Sequence, residues 1–287
     1  MIPKIGIHEN VPFKQYLEWE AFSGSGVSYL LKSAMHYKYW SEHNEQTEAQ
    51  RIGSLIDCIV LTPDNFAKDF VMTPEVYTNA KNQEKPFTLR SNTCKQIMKN
   101  IRDSGKVAVT QFEFNEAQRV KDEVFSHPIA RELLLGGRQQ VSVVWRDSDH
   151  DVLCKARFDN LRDIGIDDLK STIDGSPDSF SYTINKYKYH VQGALYSDAF
   201  DILQIGSQYP PEYNIIAVEK KPPYAVSCYG LEPSTLLTGR SLYKRAMIIY
   251  KEAKESGKWL GYSQFLEPVE IPAWALQQNL DDEVLNA

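Results

Sequence analysis

The sequence contains no run of about eighteen apolar residues, which excludes an ordinary membrane-spanning helix. Its start, MIPKIGIHENVPFKQY, lacks the apolar stretch and cleavage site of a signal peptide, so a cytoplasmic location is the expectation. Cysteine is sparse. Cys58, Cys94, Cys154 and Cys228 are scattered without a CxxC pair, a spacing unlike that of iron–sulfur ligands, and they read as reduced, buried thiols. Internal repeats and low-complexity segments are absent, and no nucleotide loop or cofactor motif supports small-molecule catalysis. Positive charge is not in excess either: 32 Lys and Arg face 38 Asp and Glu, a formal net charge of −6. That balance argues against coating nucleic acid through the overall field, but leaves a local DNA groove open. The denser basic runs, Lys81 to Lys106 and Lys244 to Lys258, read as solvated helix faces.

What is present suits a folded protein, since 287 residues at 42% apolar composition can bury a substantial core. We read residues 1–287 as one domain, with a mainly helical part over 1–135, a core over 136–275 and an acidic tail over 276–287. Ser25 or Ser28 can cap a helix through Tyr29, Leu30, Leu31 and Met35, and Thr47 can cap another over Ala49 to Leu61. Helical spacing returns at Ser91 to Asp103 and Glu113 to Ser126. The period then changes. Val141, Val143 and Trp145 alternate with Ser142, Val144 and Arg146, and after the turn SDHD a second run, Val152 to Phe158, completes a hairpin. Ile164 to Leu169 reads as a third strand, Tyr187 to Leu203 as a helix, Tyr213 to Glu219 and Ala225 to Tyr229 as two more strands, and Glu232 to Ser256 as a helix. The fold class is α/β (α+β mixed), a central mixed sheet of about five strands flanked by helices.

The stretch CKARFDNLRDIGIDDLKST carries the clearest chemistry. Asp159 ends one strand, and Asp168 and Lys170, separated by one residue on the next, point to the same face. Two carboxylates and an ammonium can converge there. Hard oxygen ligands of this kind hold Mg²⁺, which polarises a phosphate and lowers the pKa of an attacking water. The backbone carbonyl of Leu169 offers a further ligand. Some twenty residues on, in KYHVQGALYSDAF, Gln192 and Tyr196 lie one helical turn apart on a common face.

A strand aspartate, a (D/E)xK strand and a helix bearing Q-x3-Y in this order resemble the RecE and lambda-exonuclease branch of the PD-(D/E)xK nuclease superfamily. Three other stretches, FSGSGVSYLLKSAMHYKYW, RIGSLIDCIVLTPDNFAKDFVMTPE and WLGYSQFLEPVEIPAWA, resemble the opening, the G-x-x-x-H helix and the C-terminal end of the RecE type. The resemblance implies a restriction-endonuclease-like core and Mg²⁺-dependent 5′-to-3′ exonuclease action on double-stranded DNA ends, with Mn²⁺ able to substitute. Asp159 and Asp168 then become metal ligands, Lys170 the catalytic lysine, and Gln192 and Tyr196 helix residues facing the substrate strand. A phage-type role with a RecT-like single-strand annealing protein is implied as well. So is a homo-oligomeric ring, a tetramer in preference to a trimer.

Two positions depart from that pattern. Asp57 stands where the G-x-x-x-H helix carries histidine after Gly53, and as a hard ligand it remains a candidate for the metal. Gln140 stands where an acid is expected, which puts a second metal in doubt. These departures motivate two alternatives, an inactive DNA-binding recombination scaffold and a structure-specific endonuclease of the same fold.

Overall fold

The computed structural model describes residues 1–273 and Ala275; the tail expected over 276–287 lies outside the described residues. In chain order the N-terminal elements are β1 (Gly6–His8), α1 (Phe13–Leu17), α2 (Val27–Lys32), α3 (Ala34–His43), α4 (Glu48–Leu61), α5 (Phe66–Asp69), β2 (Phe70–Met72), β3 (Val76–Thr78), β4 (Glu84–Pro86), α6 (Asn92–Asp103), β5 (Val107–Val109), α7 (Gln111–Ser126) and α8 (Pro128–Leu135). There follow β6 (Arg138–Asp147), β7 (Val152–Arg162), β8 (Gly165–Thr172), α9 (Pro177–Tyr187), α10 (Tyr189–Ile202), β9 (Glu212–Glu219), β10 (Val226–Gly230) and α11 (Pro233–Ser256).

The main sheet runs β1-β6-β7-β8-β9-β10, all neighbours antiparallel except the parallel pair β8–β9. Five of these strands are those read from alternation. The sixth, β1, adds three residues to the outer edge of β6, too short a segment for any period to show. The parallel pair needs a crossover, and α9 and α10 supply it.

Local chemistry fixes several helix starts. Thr47 Oγ1 accepts from the Gln50 N–H at 3.3 Å while Gln50 Oε1 accepts from the Thr47 N–H at 2.8 Å, a capping box that starts α4. Thr110 and Glu113 repeat the arrangement on α7. Arg51 of α4 pairs with that same Glu113, tying the two helix starts together.

Two expected helices are divided. Ser33 is extended (φ −175°, ψ 161°) and its Oγ accepts from the His36 N–H at 3.2 Å, so the chain restarts as α3 and Met35 belongs to a second helix. Lys188, left-handed at φ 61°, separates α9 from α10 within the span read as one helix from Tyr187.

Alternation sorts the sheet into two faces. Val143, Trp145, Phe158, Ile166, Ile215 and Ala217 pack with residues of α2, α10 and α11. Leu169, Ile216 and Val218 pack on the other side with Leu55 and Ile59 of α4 and Val120 and Val124 of α7. A Cβ on Gly239 of α11 would lie 2.1 Å from the His190 carbonyl oxygen, so only glycine lets α11 lie against the start of α10 and press it onto the sheet.

Candidate active site

Strand β7 pairs with β8 for three residues only, from Arg162↔Gly165 to Asn160↔Asp167. Beyond that the strands fork, while β8 continues beside β9 to Thr172. At the fork the Leu169 N–H, which the ladder no longer serves, donates to Asp159 Oδ2 at 3.0 Å. In an extended strand the carbonyl of a residue faces the same edge as its N–H, so the Leu169 oxygen is directed into the fork too.

Asp168 is 1% exposed. Its Oδ1 accepts from Gln192 Nε2 at 2.9 Å, and Lys170 Nζ pairs with its Oδ2. Gln192 reaches it because α10 crosses the face of β8 that bears Asp168 and Lys170, while Leu169 between them points to the opposite face, toward α4 and α7. Burial alone would lower the Lys170 ammonium, but the charges of Asp168 and Asp159 outweigh it and hold the group above the ordinary lysine range. The ammonium also lies 5.1 Å from the centre of the Tyr189 ring.

Burial, reinforced by the Asp168 charge, pushes Asp159 up to about 7 against the opposing pull of Lys170, the Leu169 N–H and Gln140. Asp57, carried by α4 where it packs on β7 and β8, is driven well above the carboxylate range by burial and by the charges of Asp159 and Asp168, with Lys170 offsetting part of the rise. Asp57 thus feels the same three charged groups as the strand residues. Tyr196 is 9% exposed and packs edge-on against Phe158, ring centres 5.0 Å apart, so it lies within the core beneath the carboxylates.

Sequence reasoning treated Gln140 as a weakened ligand and overlooked Arg157. Arg157 Nε donates to Gln140 Oε1 at 2.7 Å, and Gln140 Nε2 donates to Asp159 Oδ1 at 2.9 Å. The amide therefore relays the guanidinium to the carboxylate. Gln140 sits at a break in β6–β7 pairing with φ 53°, a conformation that costs a non-glycine residue free energy. The available signal was alternation: Arg157 and Asp159 share a face of β7. Asp167, next to Asp168, has a different fate. Arg162, Asn160 and Asn214 all donate to it, and it is 0% exposed.

Residues 23–268 match the family described as a PDDEXK-like domain of unknown function (DUF3799). The chain belongs to that family. No curated protein matches the sequence. Among solved structures, a candidate exonuclease from Eubacterium rectale superposes with a TM-score of 0.55 at 14% identity, over 90% of this chain and 92% of that one. At that identity the likeness is one of fold, and the mixed α/β architecture is that of a PDDEXK-like domain.

PDDEXK-like nucleases typically use divalent metals, and the fork offers hard oxygen donors of the kind such ions take, although Asp57, Asp159 and Asp168 do not bring their carboxylate oxygens within 4.8 Å of one another. Three carboxylates stand against a single ammonium, that of Lys170 on Asp168 Oδ2. Uncompensated charge in a desolvated place is what a cation relieves. Among the described residues, the one group of three acidic or imidazole side chains with ligand atoms within 4.8 Å of one another is Asp147, Asp149 and His150. The Lys244 ammonium already lies between Asp147 and Asp149, offsetting part of their charge and joining the hairpin turn to α11. Among the described residues no helix is long and apolar enough to cross a membrane. Cys58, Cys94 and Cys154 are buried free thiols, while Cys228 is half-buried on the edge strand β10.

Proposed function

We propose that this PDDEXK-like domain is a divalent-metal-dependent exonuclease of the RecE type, degrading double-stranded DNA from its ends in the 5′-to-3′ direction. The observation that carries the reading is the convergence of Asp159, Asp168 and Lys170 at the β7–β8 fork, with Asp57 beside them. Asp159, Asp168, Asp57 and the Leu169 carbonyl are the residues that would hold Mg²⁺, or Mn²⁺ in its place. When bound, the metal supplies Lewis acidity toward a phosphate oxygen and lowers the pKa of water. Lys170, anchored by Asp168, presents a permanent positive charge toward the phosphodiester and offsets charge developing on it. Gln192 keeps the Asp168 carboxylate oriented, and Tyr196 supports Gln192 from beneath.

The product would carry a 3′ single strand suited to annealing, with a RecT-like protein as the partner that takes it up in the cytoplasm of a bacterial host. A homo-oligomeric ring, tetrameric in preference to trimeric, would confine basic residues to a channel and reconcile a net charge of −6 with DNA binding.

The test is linear duplex DNA labelled at the 5′ or the 3′ terminus, incubated with Mg²⁺ or EDTA beside a closed circle and an Asp168→Ala control. Mg²⁺-dependent release of the 5′ label with the circle intact supports the reading. Nicking of the circle would make the protein an endonuclease, and no cleavage in any metal would leave the DNA-binding scaffold.

A further inference from the structure

Tyr187 ends α9 and Tyr189 begins α10, two positions apart in sequence. In a continuous helix such residues point to different sides. Here the left-handed backbone of Lys188, at φ 61°, turns the chain between them, and the two rings stack at 5.9 Å with planes 24° apart. A helix end of this shape ordinarily takes glycine or asparagine, so a lysine there holds the turn at some cost.

The stacked pair joins the candidate active site to solvent. Its inner member, Tyr189, lies under the Lys170 ammonium and leans on Phe180, which is 0% exposed, with ring centres 6.3 Å apart. The outer member, Tyr187, is 57% exposed and carries Lys186 Nζ 5.3 Å from its ring centre. A supported inner ring, a solvent-exposed outer ring and one ammonium at each, Lys170 at Tyr189 and Lys186 at Tyr187, match the chemistry of a nucleotide, whose base stacks on aromatic faces while its phosphate meets ammonium groups.

We infer that Tyr187, backed by Tyr189, is a stacking platform for an unpaired nucleobase adjoining the phosphate at Lys170, an inference that rests on the nuclease reading. The occupant is the base of a frayed or single-stranded terminus, because the bases of an intact duplex keep their faces covered by one another. The platform then determines which nucleotide is seated next to the fork.

Binding and cleavage are measured separately. A short single-stranded oligonucleotide carrying 2-aminopurine, and a matched one with an abasic position, are titrated in Ca²⁺ with wild-type protein, Tyr187→Ala and Tyr187→Phe. We expect wild-type protein to quench the 2-aminopurine, Tyr187→Ala to lose the quench and bind about tenfold more weakly, and Tyr187→Phe to keep both. The abasic oligonucleotide should be bound equally by wild type and Tyr187→Ala. Absence of binding by wild type, an unchanged Tyr187→Ala, or an equal loss on both oligonucleotides would overturn the platform. Cleavage of linear duplex in Mg²⁺ is scored alongside, so a protein that stacks the base but cuts nothing keeps the platform and loses the nuclease reading.

Discussion

Gln192 holds Asp168 from a different layer of the molecule, its side-chain amide on α10 donating at 2.9 Å to a carboxylate on β8. An amide in that place orients the carboxylate without competing for its charge. Gln192→Ala should lower Mg²⁺-dependent cleavage about 10- to 100-fold, the usual cost of losing a group that orients a metal ligand. Unfolding in urea should change little. Gln192→Glu, which sets two carboxylates against each other, should be worse than alanine, and an alanine variant of wild-type activity would remove Gln192 from the site.

Asp159 is stabilised as a protonated acid in the metal-free fold, at about 7, against about 4 for an unfolded chain. Between those values the native state keeps a proton that the unfolded state releases. This group therefore takes stability away as pH rises from about 4 to 7, and its charged form is the one a metal needs. Thermal unfolding should show Mg²⁺ raising Tm more at pH 8 than at pH 6. Asp159→Asn should abolish cleavage yet make the metal-free protein more stable at pH 8, by about 1–3 kcal/mol. An asparagine variant with the same pH slope as wild type would contradict this account.

Lys155 is a buried cation that belongs to the fold. Its ammonium donates to the carbonyls of Tyr16, Leu17 and Trp19, closing the end of α1, and burial brings it down to about 8. Lys155→Met would strand those carbonyls, and urea unfolding should show a loss of about 2–3 kcal/mol. Cleavage per folded molecule should survive in conditions where the variant is folded.

Gly239 has no room for a side chain, since an added Cβ would meet the His190 carbonyl oxygen at 2.1 Å. Gly239→Ala should cost about 2–3 kcal/mol in chemical denaturation and shift α10 relative to β8. Because α10 bears Gln192, the same variant should weaken Mg²⁺-dependent cleavage beyond what its folded fraction explains.

The sheet was legible because its faces are unmixed: Val141, Val143 and Trp145 enter one core, and the period of two survives in sequence. The capping chemistry of Thr47 was legible for a similar reason, being local. Ser33 is a capping residue type, masked because the apolar spacing runs through it, and Lys188 was hidden because lysine seldom takes the left-handed turn that divides α9 from α10. At the site, Asp159, Asp168 and Lys170 could be singled out from strand alternation, and the structure brings them to one fork with Asp57. The relay from Arg157 through Gln140 was hidden because it links two strands through an amide whose orientation depends on both neighbours.

The strand and helix residues of the site come from a single stretch of chain between β7 and α10, whereas Asp57 arrives on α4 from the N-terminal half. When α4 settles onto the sheet, the balance at the fork passes from two carboxylates per ammonium to three. The contact that buries Leu55 and Ile59 thus also buries the Asp57 carboxyl beside Asp159 and Asp168, so apolar burial favours the docking of α4 while desolvation of a carboxyl and the charges next to it oppose it.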